Sequence, residues 1–194
     1  MRTLLTTRLS RSIMAKKAFV DEAAEEIIRV AEAMVATFRS GGKLLIFGNG
    51  GSAADAQHMA AELVSRFLLD RRPLPAIALT TDTSILTAIA NDFAYDLVFV
   101  KQVQALGKPE DMALGISTSG TSANVVKAMK AARTIGMKTV GLTGGITRPG
   151  GDLQPLCDLL LNIPSDFTPH IQETMLWLEH LLCEMVEREL FEAR

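Results

Sequence analysis

Two hydrophobic regimes alternate along this chain: continuous apolar runs of four or five residues, and longer segments in which apolar positions recur every three or four. The short runs read as strands buried on both faces and the longer segments as amphipathic helices. Lys43 to Phe47, Ala76 to Leu79, Met112 to Ile116, Thr139 to Leu142 and Leu159 to Ile163 are the expected strands. Helices are expected at about 52–67, 83–90, 96–105, 122–135 and 168–190. Two further helices precede the first strand: a short one carrying Leu4, Leu5, Leu9 and Ile13 at helical spacing, and a longer one from Asp21 to Phe38, stopped by Gly41 and Gly42. Strand and helix alternate over the rest of the chain, and right-handed crossovers would cover both sheet faces. The expected fold is α/β, a three-layer sandwich around a five-stranded parallel sheet, in one domain over 1–194 with an N-terminal helical segment at about 1–40.

Composition narrows the function classes. A chain of 194 residues, 48% hydrophobic, can build one well-buried core. A net charge of −2 without a concentrated basic stripe argues against a nucleic-acid surface. No apolar run approaches the ~18 residues of a membrane span. Cys157 and Cys183 sit in apolar surroundings without CxxC spacing, which favours buried free thiols and a reducing, cytoplasmic setting. The first twenty residues hold five Arg or Lys and no acid, superficially like a targeting peptide, but they lack the unbroken apolar stretch of a secretory signal.

Chemistry concentrates in two loops. After Phe47, Gly48-Asn49-Gly50-Gly51-Ser52 lets the backbone turn tightly into a helix, with Ser52 at the expected N-cap. Such a helix start binds anions. On that helix His58 and Glu62 stand four residues apart on one face, either a metal half-site or an acid/base pair. The helical rise sets them roughly 10 Å from a bound phosphate. The second loop, Ser117-Thr118-Ser119-Gly120-Thr121-Ser122, carries five hydroxyls where a helix begins, more than an N-cap uses. Hydroxyls and backbone N–H groups at two helix starts hold a phosphate without Lys or Arg, at the carboxyl edge of the sheet. The first loop also matches GxGxxA, with Asp82 in the place of a ribose-binding acid, but a dinucleotide site leaves the hydroxyl loop and the His/Glu pair without a role.

The segments FGNGGSAADAQHMAAELVSRF, TDTSILTAIAND, GISTSGTSANVVKA and IQE…EHLLCEMVERELF resemble the sugar isomerase (SIS) domain family, within it the bacterial sedoheptulose-7-phosphate isomerases, from about Ala23 to Phe191. The resemblance implies a flavodoxin-like, doubly wound sheet and a homotetramer with sites near subunit interfaces. It implies conversion of sedoheptulose 7-phosphate, a phosphorylated seven-carbon sugar, to D-glycero-D-manno-heptose 7-phosphate, the first step of ADP-heptose synthesis for lipopolysaccharide core. By the same likeness Ser52, Ser117, Thr118, Ser119 and Ser122 would hold the phosphate, and Asn49, Gly50, Gly51, Asn91 and Asp92 would line the sugar site. Relatives bind zinc through residues corresponding to His58, Glu62, Gln172 and His180.

Isomerisation requires a base beside the carbonyl, a donor or cation for the enediolate and a proton returned to the adjacent carbon. Glu62 suits the base and His180 the partner acid/base, with Asp92 or Gln172 orienting hydroxyls. Gln172 and His180 lie eight residues apart, roughly 12 Å along a straight helix, so one ion reaches both if the helix bends or a neighbouring subunit contributes. Related phosphosugar isomerases or lyases are an alternative. So is a noncatalytic adaptor that binds a replication initiator, whose members tend to lack the acid at 62 and the His at 180. Thr168-Pro169-His170 stands where the family often places an acid, leaving a third catalytic carboxylate without a position. Asp55 and Gln57 have no assigned role, and Met175 and Trp177 are expected in oligomer packing.

Overall fold

The computed structural model describes residues 1–192. Five parallel strands, β1 (Leu44–Gly48), β2 (Ala76–Ala78), β3 (Met112–Ser117), β4 (Lys138–Gly144) and β5 (Leu159–Ile163), form one sheet in the order β2-β1-β3-β4-β5. Every residue of β1 and β3 is buried, because helices cover both faces of a parallel sheet. This is the flavodoxin-like order, and the chain reverses its winding between β1 and β3. Pairing of Gly48 with Ile116 ends those two strands side by side, so the loops after them share the crevice at the switch point.

The helices are α1 (Arg2–Arg39), α2 (Gly51–Val64), α3 (Thr83–Asp92), α4 (Val98–Leu106), α5 (Ala123–Ile135) and α6 (Thr168–Phe191). One core lies between the sheet and α1, α2 and α6, where Phe19, Met34, Met59, Met175 and Leu182 meet. The other lies between the sheet and α4 and α5, around Phe47, Phe99 and Met129. At the opposite edge from the switch point, buried Asp111 accepts from the Lys43 and Lys108 backbone N–H groups and pairs with Lys43 Nζ at 2.6 Å, which ties β1 to the loop entering β3.

One expectation fails at the N-terminus. A single helix of 38 residues replaces the two expected before β1, because no Gly or Pro interrupts residues 2–39. The helical spacing of Leu4, Leu5, Leu9 and Ile13 is realised, with that stripe and Met14 exposed. Polar contacts hold this end against the start of α6 instead. Arg8 stacks over Phe167 at 4.2 Å, and Ser12 donates to Glu173 while accepting from Lys16. Met175 is likewise buried in the core of its own chain, and Trp177 packs partly buried against that core. Asp82 caps α3 by accepting from the Ile85 N–H at 2.8 Å, the ordinary work of an N-cap aspartate. Both thiols are free; burial, reinforced by neighbouring carboxylates, pushes their pKa values up.

Candidate functional site

Neither helix at the switch point caps itself. The α2 N-cap is Gly50, not Ser52, and its φ of 57° is one that L side chains rarely adopt. Ser52 instead lies buried inside the first turn. At α5 the N-cap is Ser122, but its hydroxyl sits 3.0 Å from Ser117 Oγ and makes no cap bond. No N-cap side chain accepts from either helix start, although at α5 the Val125 N–H is taken by Asn124 Oδ1 at 3.0 Å; the N–H groups left over at two adjacent helix starts favour an oxyanion. Ser119 Oγ and Thr121 Oγ1 lie 2.9 Å apart on the exposed rim. Gly120, at φ 66°, is pressed so closely on the Gly150 carbonyl that a Cβ there would collide with it. That contact clamps the β4–β5 connection onto the hydroxyl loop. It also brings Arg148, paired with Asp152, to an open recess of about 440 Å³ shared by Thr118, Ser119 and Thr121. A cation thus stands near a cradle expected to have none.

Asn49 is held by two residues to which no role was expected, Asn124 and Tyr95. Its amide and that of buried Asn124 exchange two hydrogen bonds, 2.8 and 2.9 Å, across the two loops, and the Tyr95 hydroxyl donates to Asn49 Oδ1 at 3.3 Å. Gln172 reaches the same region from α6: its Nε2 presses on Gly51 so closely that a Cβ there would push the Gln172 amide aside. Gly51 and His58 are seven residues apart on α2, roughly 10 Å along the axis. Asn91 and Asp92, at the exposed end of α3, hydrogen-bond to each other at 2.8 Å.

At the other end of α2, three side chains converge. His58 Nε2 lies 2.7 Å from His180 Nε2 and 3.5 Å from Glu62 Oε1. One ligand atom from each falls within 4.8 Å of the others. At 2.7 Å the two Nε2 atoms cannot both carry a proton without repulsion, so one ring presents a lone pair to the other. Two imidazole nitrogens and a carboxylate oxygen aimed at one point form a donor set that suits a divalent transition metal. The structure therefore joins His58 and Glu62 to His180, 122 residues from His58 in sequence, and seats Gln172 at the glycine-loop end of α2. Helix α6 runs unbroken from Thr168 to Phe191.

Behind this cluster lie two unassigned acids. Glu179 is 1% exposed, and neither of its carboxylate oxygens has a hydrogen-bond partner among the described residues. Burial, and then the Asp55 charge, raise its pKa to about 9. Burial also raises the pKa of Asp55, against the lowering effect of His58. Gln57 donates to Thr80 on the exposed side of α2. His170 is buried edge-on to Phe167, 4.6 Å between centroids, and supplies no carboxylate in place of the missing acid.

The SIS domain model matches residues 10–144. A phosphoheptose isomerase of Roseiflexus sp. (strain RS-1) is 58% identical over 184 residues, covering 95% of this chain and 92% of the relative. The chain belongs to the phosphoheptose isomerase family of SIS-domain proteins. Two solved family structures share its fold over nearly their whole length. The phosphoheptose isomerase of Neisseria gonorrhoeae superposes with a TM-score of 0.89 at 44% identity, covering 96% of this chain and 98% of that one. The Francisella tularensis phosphoheptose isomerase gives 0.91 at 39% identity, covering 96% and 97%. In this SIS-domain chain the glycine loop and the His58/Glu62/His180 cluster stand at opposite ends of α2.

Proposed function

We propose that this chain is an aldose–ketose isomerase that converts sedoheptulose 7-phosphate to D-glycero-D-manno-heptose 7-phosphate. The observation that carries the reading is the meeting of Glu62 with His180 and His58, within 4.8 Å, two helical turns from an anion cradle built on the same helix. A seven-carbon sugar spans that separation with its phosphate at one end and its carbonyl at the other.

The uncapped starts of α2 and α5, with Ser52, Ser117, Thr118, Ser119 and Ser122, hold the phosphate. Asn49, fixed by Asn124, meets the sugar with Gly50 and Gly51, and Gln172 orients its hydroxyls. Asn91 and Asp92 complete the sugar site from α3. Glu62 takes the C1 proton beside the C2 carbonyl, which leaves an enediolate. His180 transfers a proton from the C1 oxygen to the C2 oxygen, and Glu62 returns its proton to C2. Substrate and product then differ by two proton shifts, one from C1 to C2 and one from the C1 oxygen to the C2 oxygen. Zinc held by His58, Glu62 and His180 would supply electrophilic assistance to the sugar oxygens. The reaction supplies the first intermediate of ADP-heptose synthesis, and the free thiols suit a reducing cytoplasm.

Purified protein incubated with sedoheptulose 7-phosphate is expected to form the aldoheptose phosphate, read by anion-exchange chromatography; a complete absence of turnover overturns the assignment.

Two exposed apolar faces support assembly into a homotetramer. They are Leu4, Leu5, Leu9 and Ile13 on α1, and Ile85 with Phe93 around α3, a helix with no fully buried residue. Neighbouring subunits covering α3 would bring a site to each interface. Leu5→Glu combined with Leu9→Glu is expected to shift the sedimenting species from tetramer toward smaller forms. An unchanged tetramer removes α1 from the interface.

A further inference from the structure

The loop after α2, residues 65–72, is organised by one buried ion pair. The Glu187 carboxylate, 1% exposed, accepts from the backbone N–H groups of Phe67, Leu68 and Leu69 at 2.9, 2.8 and 3.0 Å and from Arg71 Nε at 2.9 Å. Burial alone would push its pKa up; the three N–H groups and the Arg71 charge outweigh it and hold the carboxyl below its ordinary range. Arg71 then turns its other nitrogens onto the end of α2, donating to the Glu62 carbonyl at 2.8 Å and the Leu63 carbonyl at 2.7 Å. Phe67, fixed by the same carboxylate, stacks on the His180 ring at 5.6 Å between centroids and 17° between planes. Glu187 stands seven residues beyond His180, two turns along the same face of α6.

We propose that the Arg71–Glu187 pair is a positioning device that sets Glu62 against His180, through the Glu62 carbonyl on one side and the Phe67 ring on the other. The inference rests on the reading of Glu62 and His180 as the reacting pair. Stability alone gives a poor account of the pair, because buried ion pairs are often replaced by apolar residues without loss. Its contacts instead end on the backbone of one cluster residue and the ring of another. Neither Arg71 nor Glu187 joins the cluster itself, and Phe67 meets it with a hydrocarbon face, so the three act by placement. A displacement near 1 Å between proton donor and acceptor is enough to slow the transfer while the phosphate cradle still binds.

The test uses the whole enzyme with Phe67→Leu, Phe67→Tyr, Glu187→Gln and Arg71→Lys. Turnover of sedoheptulose 7-phosphate is measured beside the ring Cε1–H resonances, which number three because the chain has three histidines. Phe67→Leu and Glu187→Gln are expected to lower kcat ~10-fold or more with KM unchanged, and Phe67→Tyr to keep the wild-type rate. Glu187→Gln and Arg71→Lys should also move the His180 resonance as the Phe67 ring leaves it, while that of His170 stays. Wild-type kcat in Phe67→Leu, or an unmoved His180 resonance in both Glu187→Gln and Arg71→Lys, overturns the proposal. Should Glu187→Gln fail to fold, Phe67→Leu and Arg71→Lys decide, since Phe67→Leu leaves the ion pair in place. If the wild type does not turn the sugar over, the functional reading falls and the resonances alone judge the placement.

Discussion

Glu62→Gln and His180→Gln are each expected to lower kcat for sedoheptulose 7-phosphate by ~10²–10⁴, the range for losing a positioned acid or base, with a much smaller change in KM. The split follows from the layout of α2. The proposed phosphate cradle is built from the Gly50–Ser52 end and the hydroxyl loop, neither of which the substitutions touch. Metal content measured on the same variants separates the two roles open to Glu62. Loss of turnover with metal retained assigns it the proton; loss of both assigns it to the ion. A variant that keeps the full rate removes its residue from the mechanism. The adaptor reading, which needs neither side chain, predicts no turnover in the wild type and no effect of either change.

The second large effect concerns stability. Glu179 lies at the α6–α2 contact with both oxygens unpartnered, and burial with the Asp55 charge carries its pKa from an ordinary 4.5 to about 9. The folded form therefore prefers the proton. Below the unfolded value both states are protonated and the residue adds no pH dependence. As pH rises from about 4.5 toward 9, the unfolded chain releases its proton before the folded one does, and stability declines throughout that window. Glu179→Gln, which cannot ionise, is expected to remove this decline, with a gain over wild type that grows to ~3–5 kcal/mol by the upper end. Denaturant unfolding of chelator-treated protein across that pH range reads the gain; one that does not grow with pH overturns the prediction. The residue costs stability while sitting next to His180, so a more stable variant with reduced activity would mark it as held for function.

Much of the fold was legible because strands and helices write their own periods. The runs LLIF, MALGI and LLLNI became β1, β3 and β5 with ends moved by a residue or two, and helix α5 kept its expected course. Gly-rich and hydroxyl-rich turns were legible for a similar reason: the backbone conformations they adopt admit few residue types. The N-terminus misled. Spacing of Leu4, Leu5, Leu9 and Ile13 correctly indicated a helix, but periodicity cannot say which face turns inward, and here polar contacts with Phe167 and Glu173 face the fold. Ser52 misled in a smaller way, since a glycine two residues earlier accommodates the turn that begins the helix.

What the sequence determined by itself is local: five buried strands, the loops that end two of them, and the common face of His58 and Glu62. Each depends on backbone geometry over a few consecutive residues, which the identities of those residues control directly. The tertiary structure decided what meets across distance. Sheet order places the Gly48 and Ser117 ends together, packing of α6 on α2 brings His180 to His58, and the Arg71–Glu187 pair fixes the loop that backs them. Those meetings carry no period or motif, because they are set by which surfaces bury best against one another and not by any spacing along the chain.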